Sequence, residues 1–103
     1  MSEPADGCRI DVWLWRARFF KTRSLAARMV TEGHIRLSRN GVGIRLDKPS
    51  RTVRCGDGLV VALGDRQIVV RIEALGERRG PAPEARTLYS VPDSDARGAA
   101  NLN

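Results

Sequence analysis

Apolar residues recur three or four positions apart in the first third of the chain, as they do on the buried side of a helix. This spacing predicts one amphipathic helix over residues 9–20 and a second over residues 23–32. Thr22 is suited to cap the second helix, and Gly33 to end it in a left-handed conformation. The two apolar stripes are Ile10, Trp13, Leu14, Ala17 and Phe20, and Leu25, Ala26, Met29 and Val30.

After Gly33 the period changes to two, which predicts short strands. Ile35 and Leu37 are expected to point inward, with His34, Arg36 and Ser38 outward. The turn signal Asn40-Gly41 comes next. Further strands are predicted over 42–46, 51–54, 59–63 and 67–75, with the last two forming a hairpin, and a short helix started by Pro83 over 84–89. The pattern therefore predicts an α+β fold, in which two N-terminal helices precede a small, mostly antiparallel sheet of short strands and a short C-terminal helix.

With 103 residues the chain is long enough for one domain and too short for two. We expect a disordered lead-in over residues 1–8 and a domain over residues 9–75. A Pro-rich connector with the short helix follows over 76–92, and a flexible tail over 93–103.

Charge is distributed unevenly along the chain, whose formal net charge is +6. Residues 9–54 contain twelve basic and three acidic side chains, and ten of the twelve are Arg. Arg offers a planar set of donors that matches phosphate. On the second helix Ser24, Arg28 and Thr31 share an exposed face that we expect to be free of acidic groups. Charge alone also fits a merely solvated surface, but this arrangement favours a polyanion-binding face.

Residue types for catalysis or metal binding are sparse. Cys8, Cys55 and the single His34 lack the spacing of a zinc site, and no base is placed beside a nucleophile. We therefore expect no enzymatic activity and no cofactor or metal. Two isolated thiols, an N-terminus unlike a signal peptide and the lack of an apolar run of bilayer length predict a cytoplasmic protein with no membrane partner.

A spaced set of residues resembles the RNA-binding domain named after small-subunit ribosomal protein S4, over residues 9–63. The set is Arg9, Ile10, Asp11, Leu14, Thr22, Arg23, Ser24, Ala26, Arg28, Val30, Gly33, Ile35, Leu37, Asn40 and Gly41, followed by Lys48, Pro49, Ser50, Gly56 and Asp57. Within that superfamily, Trp13-Leu14-Trp15, residues 17–23, Glu77-Arg78-Arg79, residues 81–85 and Leu88-Tyr89 resemble the bacterial fifteen-kilodalton heat-shock protein family.

The resemblance implies a two-helix RNA-binding motif in a stand-alone protein. The implied partner is ribosomal RNA of the large subunit, in the recycling of dissociated large subunits that carry a nascent chain on tRNA during heat stress. The tRNA is a further implied partner, and weak binding to DNA is compatible with the same basic surface. We expect the protein to be a monomer. Carried over by position, the implied RNA-binding residues are Arg9, Lys21, Thr22, Arg23, Ser24, Arg28, His34, Arg36, Asn40 and Lys48.

Several alternatives stay open at the level of sequence. Thr22 is also explained as a helix cap alone, and Arg23 as a partner of Asp11. Trp15, with Val12 and Phe19, forms a second apolar face that either the segment with Leu88 and Tyr89 covers or an unpaired base stacks on.

The whole chain has rival interpretations too: a detached RNA-targeting subunit of an RNA-modifying or tRNA-charging enzyme, or a protein-interaction module. It also departs from the fifteen-kilodalton family in two places. The segment between residues 41 and 48 is slightly longer than expected, and the tail from residue 93 is short and lacks a basic extension.

Overall fold

The computed structural model describes residues 7–92. It has the predicted α+β fold, with helices α1 and α2 ahead of a mostly antiparallel sheet and a short C-terminal helix. In chain order the elements are β1 (Gly7–Arg9), α1 (Ile10–Arg16), α2 (Arg23–Thr31), β2 (Ile35–Arg39), β3 (Val42–Ile44), β4 (Thr52–Arg54), β5 (Gly58–Leu63), β6 (Arg66–Ile72), α3 (Ala82–Ala85), a 3-10 helix (Arg86–Leu88) and β7 (Tyr89–Ser90).

Five strands form the main sheet in the order β3-β2-β5-β6-β7, with every neighbouring pair antiparallel. The predicted hairpin is confirmed as β5 and β6, joined at Leu63 and Arg66. Ile35 and Leu37 of β2 are buried, whereas Arg36 is exposed, as their alternation predicts. One face of the sheet therefore supplies the core and the other lies in solvent.

Helix α1 is shorter than predicted, because it ends at Arg16 rather than near residue 20. Arg18 has a left-handed backbone with φ 66°, and the amides of Arg18 and Phe19 donate to the carbonyls of Trp15 and Leu14. These two bonds form a Schellman-type helix end. An Arg adopts this conformation because its Nε is held by the carbonyl of Gly80 at 2.6 Å, sixty-two residues away.

Helix α2 matches its prediction almost residue for residue. Thr22 Oγ1 accepts a hydrogen bond from the amide of Leu25 at 3.0 Å, which makes Thr22 the N-cap. At the other end Gly33 has φ 85°, and the amides of Gly33 and His34 donate to the carbonyls of Val30 and Met29. Both ends are therefore fixed by local residues, which is why the sequence predicts them well.

The expected disordered lead-in over residues 1–8 is wrong for its last two members. Gly7 and Cys8 belong to β1, which pairs with β4, and Cys8 is buried in the core. The partner strand lies more than forty residues away along the chain, so no local pattern in residues 1–8 predicts the pairing. Residues 1–6 of the predicted lead-in lie outside the described residues.

The C-terminal segment packs onto the core. Its helix begins at Ala82 rather than after Pro83, and Tyr89 is in β7 rather than in that helix. Leu88 is buried, and its carbonyl accepts from the amides of Glu73 and Ala74. The predicted flexible tail over 93–103 falls outside the described residues.

The apolar stripe of α1 lies at the centre of the core. Ile10, Trp13 and Leu14 are fully buried, and the Trp13 Nε1 donates to the carbonyl of Ala74 at 2.9 Å. The stripe of α2 is buried at Ala26 and Val30, while Leu25 and Met29 are only half-buried.

The second apolar face of the α1 region is covered at one of its three members. The Phe19 ring lies 4.9 Å from the Tyr89 ring and 6.0 Å from the Trp13 ring, centroid to centroid. Coverage by the C-terminal segment is therefore correct for Phe19. Val12 and Trp15 are only partly buried and do not pack against the core formed by the described residues.

Candidate nucleic-acid interface

Three of the implied RNA-binding residues meet where the start of α1 lies against the start of α2. Asp11 is buried there, and its carboxylate accepts two hydrogen bonds from Arg9, at 3.0 and 2.9 Å. Arg23 Nη2 lies 4.0 Å from the same carboxylate. A shallow cavity at this junction is lined by Asp11, Arg23, Ser24 and Ala27. The pairing of Arg23 with Asp11, one of the open alternatives, is therefore present at the outer limit of an ion pair.

The guanidinium groups of Arg9 and Arg23 remain accessible to solvent although both lie close to the Asp11 carboxylate. The side chains of Arg9 and Arg23 are 48% and 51% exposed, whereas that of Asp11 is 4% exposed. The hydrogen bond from Arg9 to Asp11 raises the pKa of the Arg9 guanidinium. Asp11 thus fixes the direction of the Arg9 side chain, and the donors that do not face Asp11 are left for a ligand.

The amino terminus of α2 presents open backbone donors at this place. Among the described residues, the amides of Arg23 and Ser24 have no hydrogen-bond partner, since the Thr22 hydroxyl takes the amide of Leu25 and its carbonyl the amide of Ala26. A nine-residue helix with two free amides and a basic side chain in its first turn favours an anion there.

The start of α1 offers no comparable donors. The amide of Ile10 donates to the carbonyl of Arg51 at 2.8 Å, and the amide of Asp11 donates to that of Pro49 at 3.2 Å. These bonds attach the loop after Lys48 to the start of α1.

The prediction of an acid-free face on α2 is wrong at its carboxyl end. Arg28 Nε donates to Glu32 at 3.0 Å, and His34 Nε2 lies 3.5 Å from the other oxygen of Glu32. Residues four apart on a helix face each other, which the assignment of Glu32 to the helix end overlooked. Arg28 nevertheless keeps 71% of its side chain exposed, so the pair is a surface pair.

The remaining implied residues are exposed but scattered along the chain. Arg36 is on the open face of the main sheet, opposite Val60. Asn40 has φ 54° in the tight β2–β3 turn, and Lys21 lies between the helices. Exposure permits all of them to contact a ligand. The role of all ten in RNA binding stays a prediction.

Other arginines of the basic stretch have a structural task instead. Arg16 Nη1 donates to the carbonyls of Leu75 and Gly76, and Arg18 Nε to that of Gly80. Arg79 in turn donates to the carbonyl of Trp15. These bonds fasten the segment after β6 to the end of α1, so the count of twelve basic residues overstates the charge available to a ligand.

Sequence reasoning missed a second group of cations near Lys48. Arg39, Arg51 and Arg54 line a cavity of about 410 Å³ beside β4, together with Lys48, Asp47, Ser50 and Thr52. The signal available in the sequence was the run of Lys48, Arg51 and Arg54, with no acidic residue between them. The contribution of Arg39 was invisible because it reaches the cavity from a different strand.

Two further findings bear on the kind of site. Within residues 7–92 no group of three or more His, Cys, Asp or Glu side chains is arranged to hold a metal ion. Over the same residues, none of the helices has the length and apolar character needed to cross a membrane.

Comparison with known proteins defines the class. Residues 8–59 match the model of the S4 domain, a stretch that contains α1, α2 and the strands around the loop after Lys48. The chain belongs to the S4 domain family.

Individual proteins match this chain over a longer stretch than the S4 domain alone. Heat shock protein 15 of Escherichia coli is 40% identical over 87 residues, which are 84% of this chain and 62% of that protein. The chain thus spans less than two thirds of that relative's length. The trimeric structure of Vibrio cholerae heat shock protein 15 has a TM-score of 0.70 and 40% identity, covering 82% of this chain and 81% of the other. The RQC P-site tRNA stabilizing factor of Listeria innocua is 31% identical over 81% of this chain and 84% of its own length.

Proposed function

We propose that this protein is a non-enzymatic RNA-binding module whose contact surface is the helix-pair face, defined by Arg9, Arg23, Ser24 and Arg28. The observation that carries the proposal is the meeting of the exposed Arg9 and Arg23 guanidinium groups with two open amides at the start of α2. Such a surface suits phosphate oxygens. Membership of the S4 domain family supports the same assignment.

The helix-pair face is better suited to recognise the shape of a structured RNA than to read its base sequence. Guanidinium and amide donors contact phosphates and 2′-hydroxyls, which an A-form helix displays along a wide and shallow minor groove. Phosphate contacts fix position and carry little sequence information. The protein therefore recognises the shape of a folded RNA, and DNA binds more weakly.

The partner we propose is ribosomal RNA in the large subunit. We propose further that this subunit still carries a nascent chain on tRNA; similarity to a P-site tRNA stabilizing factor supports the tRNA, and similarity to heat shock protein 15 supports a role in heat stress. The role would be recycling of such subunits during heat stress, in the cytoplasm. For the oligomeric state, the sequence predicts a monomer whereas the Vibrio cholerae relative is a trimer, and analytical ultracentrifugation distinguishes the two.

Sedimentation through ribosome gradients tests the proposal. Tagged protein should migrate with free large subunits at low salt and less so at moderate salt, because each phosphate contact releases counterions. If about five phosphates are neutralised, the logarithm of the binding constant should fall with that of the salt concentration with a slope of about −4. Arg23→Glu/Arg28→Glu should abolish co-migration.

Controls separate this outcome from general effects of charge. Arg86→Glu changes an exposed residue of the 3-10 helix, away from the helix-pair face, and should leave co-migration intact. Retention of Arg23→Glu/Arg28→Glu on the large subunit would contradict the proposal and favour a protein contact. Equal competition by duplex DNA and structured RNA of matched length would reduce the protein to a general polyanion binder.

A further inference from the structure

We infer that the cavity lined by Arg39, Lys48, Arg51 and Arg54, here called the Arg39 cavity, is a second phosphate-binding site that holds the backbone of the same RNA strand. The inference rests on the proposed function, because it extends the helix-pair face to a further part of one ligand. The chemistry it would recognise is the phosphate of the RNA backbone.

Arg39 is held in place before any ligand arrives. Its Nε and Nη2 each donate to the Asp57 carboxylate at 2.8 Å, and Nη2 also faces the carbonyl of Thr52 at 3.4 Å. Asp57 is 2% exposed, and its remaining contact is the amide of Arg54. The buried acid orients the guanidinium and does not line the cavity. Nη1 of Arg39 has no partner among the described residues, so it is the donor left for a ligand.

The other cations of the Arg39 cavity are not neutralised. Within residues 7–92, the side chains of Lys48, Arg51 and Arg54 form no ion pair, and all three are exposed. The one acid on the wall is Asp47, which lies 3.9 Å from the exposed Arg45. Arg39 is balanced by Asp57, and Lys48, Arg51 and Arg54 against Asp47 still leave a positive concave surface, which concentrates anions more than a flat surface of equal charge does.

The Arg39 cavity adjoins the helix-pair face. Thr52 on its wall is the register partner of Arg9 in the β1–β4 ladder, and the carbonyl of Arg51 holds the first amide of α1. Arg9 in turn is bonded to Asp11, which lines the cavity shared with Arg23. The two sites are therefore linked by directly contacting residues, and an RNA strand on the helix-pair face can continue across β1 to Arg39.

Arg51→Gln/Arg54→Gln tests the inference on the full chain. These side chains donate no hydrogen bond within residues 7–92, so the variant should keep its thermal unfolding temperature. Its affinity for a structured RNA hairpin should fall on the order of ten-fold at about 0.1 M salt, and the magnitude of the salt slope should fall by about 1.5 to 2. Arg86→Glu removes the same two units of charge elsewhere and should leave the slope unchanged.

The outcomes separate this inference from the function on which it rests. If wild-type protein fails to bind the hairpin, the proposed function fails. If wild type binds, Arg23→Glu/Arg28→Glu does not, and Arg51→Gln/Arg54→Gln binds with unchanged affinity and slope, only the inference fails.

A second measurement distinguishes RNA phosphate from free phosphate. The Arg39 Nε–H resonance should shift on addition of the hairpin and shift little with inorganic phosphate at equal phosphate concentration. Saturation by inorganic phosphate that the hairpin cannot displace would assign the cavity to a free anion and overturn the inference.

Discussion

At the scale of single residues, the arginines differ in what their guanidinium groups contact. Arg9 and Arg28 are bonded to carboxylates and still largely exposed, so they are oriented and available. Arg16 and Arg18 donate to backbone carbonyls of the C-terminal segment and serve the fold. Arg51 has no ion pair within the described residues. Because the partners of Arg16 and Arg18 lie about sixty residues away, residue type alone could not separate binding from structural roles.

Glu32 competes with a ligand for Arg28, which yields a prediction. The hydrogen bond from Arg28 lowers the pKa of Glu32, so the carboxylate is ionised at neutral pH and repels phosphate. Glu32→Gln should raise RNA affinity about two-fold, measured by fluorescence anisotropy. Glu77→Gln, which removes an exposed carboxylate elsewhere, is the control and should change affinity less. Equal gains for both variants would contradict a local effect.

The same pair gives a pH dependence whose sign is fixed. A lowered folded-state pKa means that Glu32 contributes stability above the ordinary carboxyl pKa of about 4.3, and that this contribution is lost as pH falls through the lowered value. Both partners are exposed, so the effect on unfolding is small.

At the scale of elements, hydrophobic spacing predicted burial more reliably than it predicted helix length. Ala17 and Phe20 are buried as expected, although α1 has already ended at Arg16. The helix end depends on the bond of Arg18 to Gly80, which no window around α1 contains. In α2 the Thr22 cap and Gly33 are local, and the boundaries follow from the sequence.

The half-covered aromatic face of α1 gives a prediction at this scale. Phe19 packs between Trp13 and Tyr89, whereas Trp15 is partly buried and does not pack against the core. Phe19→Ala should lower the free energy of unfolding by about 3 kcal/mol, and Trp15→Ala by about 1 kcal/mol, in urea denaturation. A larger loss for Trp15→Ala would mean that the C-terminal segment covers its ring as well.

At the scale of the whole molecule, the two ends of α1 have different roles. The end of α1 is fastened to the C-terminal segment by Arg16, Arg18 and Arg79. The start of α1 is fastened to the loop after Lys48 and lies beside the basic residues of α2. The short first helix therefore joins the stabilising C-terminal segment to the candidate RNA-binding surface.

Removal of the C-terminal segment tests that arrangement. A chain ending at residue 75 loses Ala85 and Leu88 from the interior and β7 from the sheet. Its free energy of unfolding should fall by about 4 kcal/mol or more, measured by urea denaturation followed by circular dichroism. A chain ending at residue 92 is the control and should be as stable as the full chain, as the flexible tail predicted for 93–103 requires. Equal stability of the two shortened chains would show that residues 76–92 are not needed by the fold.

The sequence by itself determined the fold class, the α2 boundaries, the Asn40-Gly41 turn and the inward residues of β2, because caps, left-handed turns and alternation act within a few residues. It also predicted the basic, Arg-rich half of the chain as the candidate surface. Only the tertiary structure decided that Gly7 and Cys8 form a strand and that Arg39 joins Arg51 and Arg54 around one cavity. Those arrangements depend on contacts between residues that are far apart in sequence. Such contacts stabilise the structure only once the separate elements have packed together, so no local pattern predicts them.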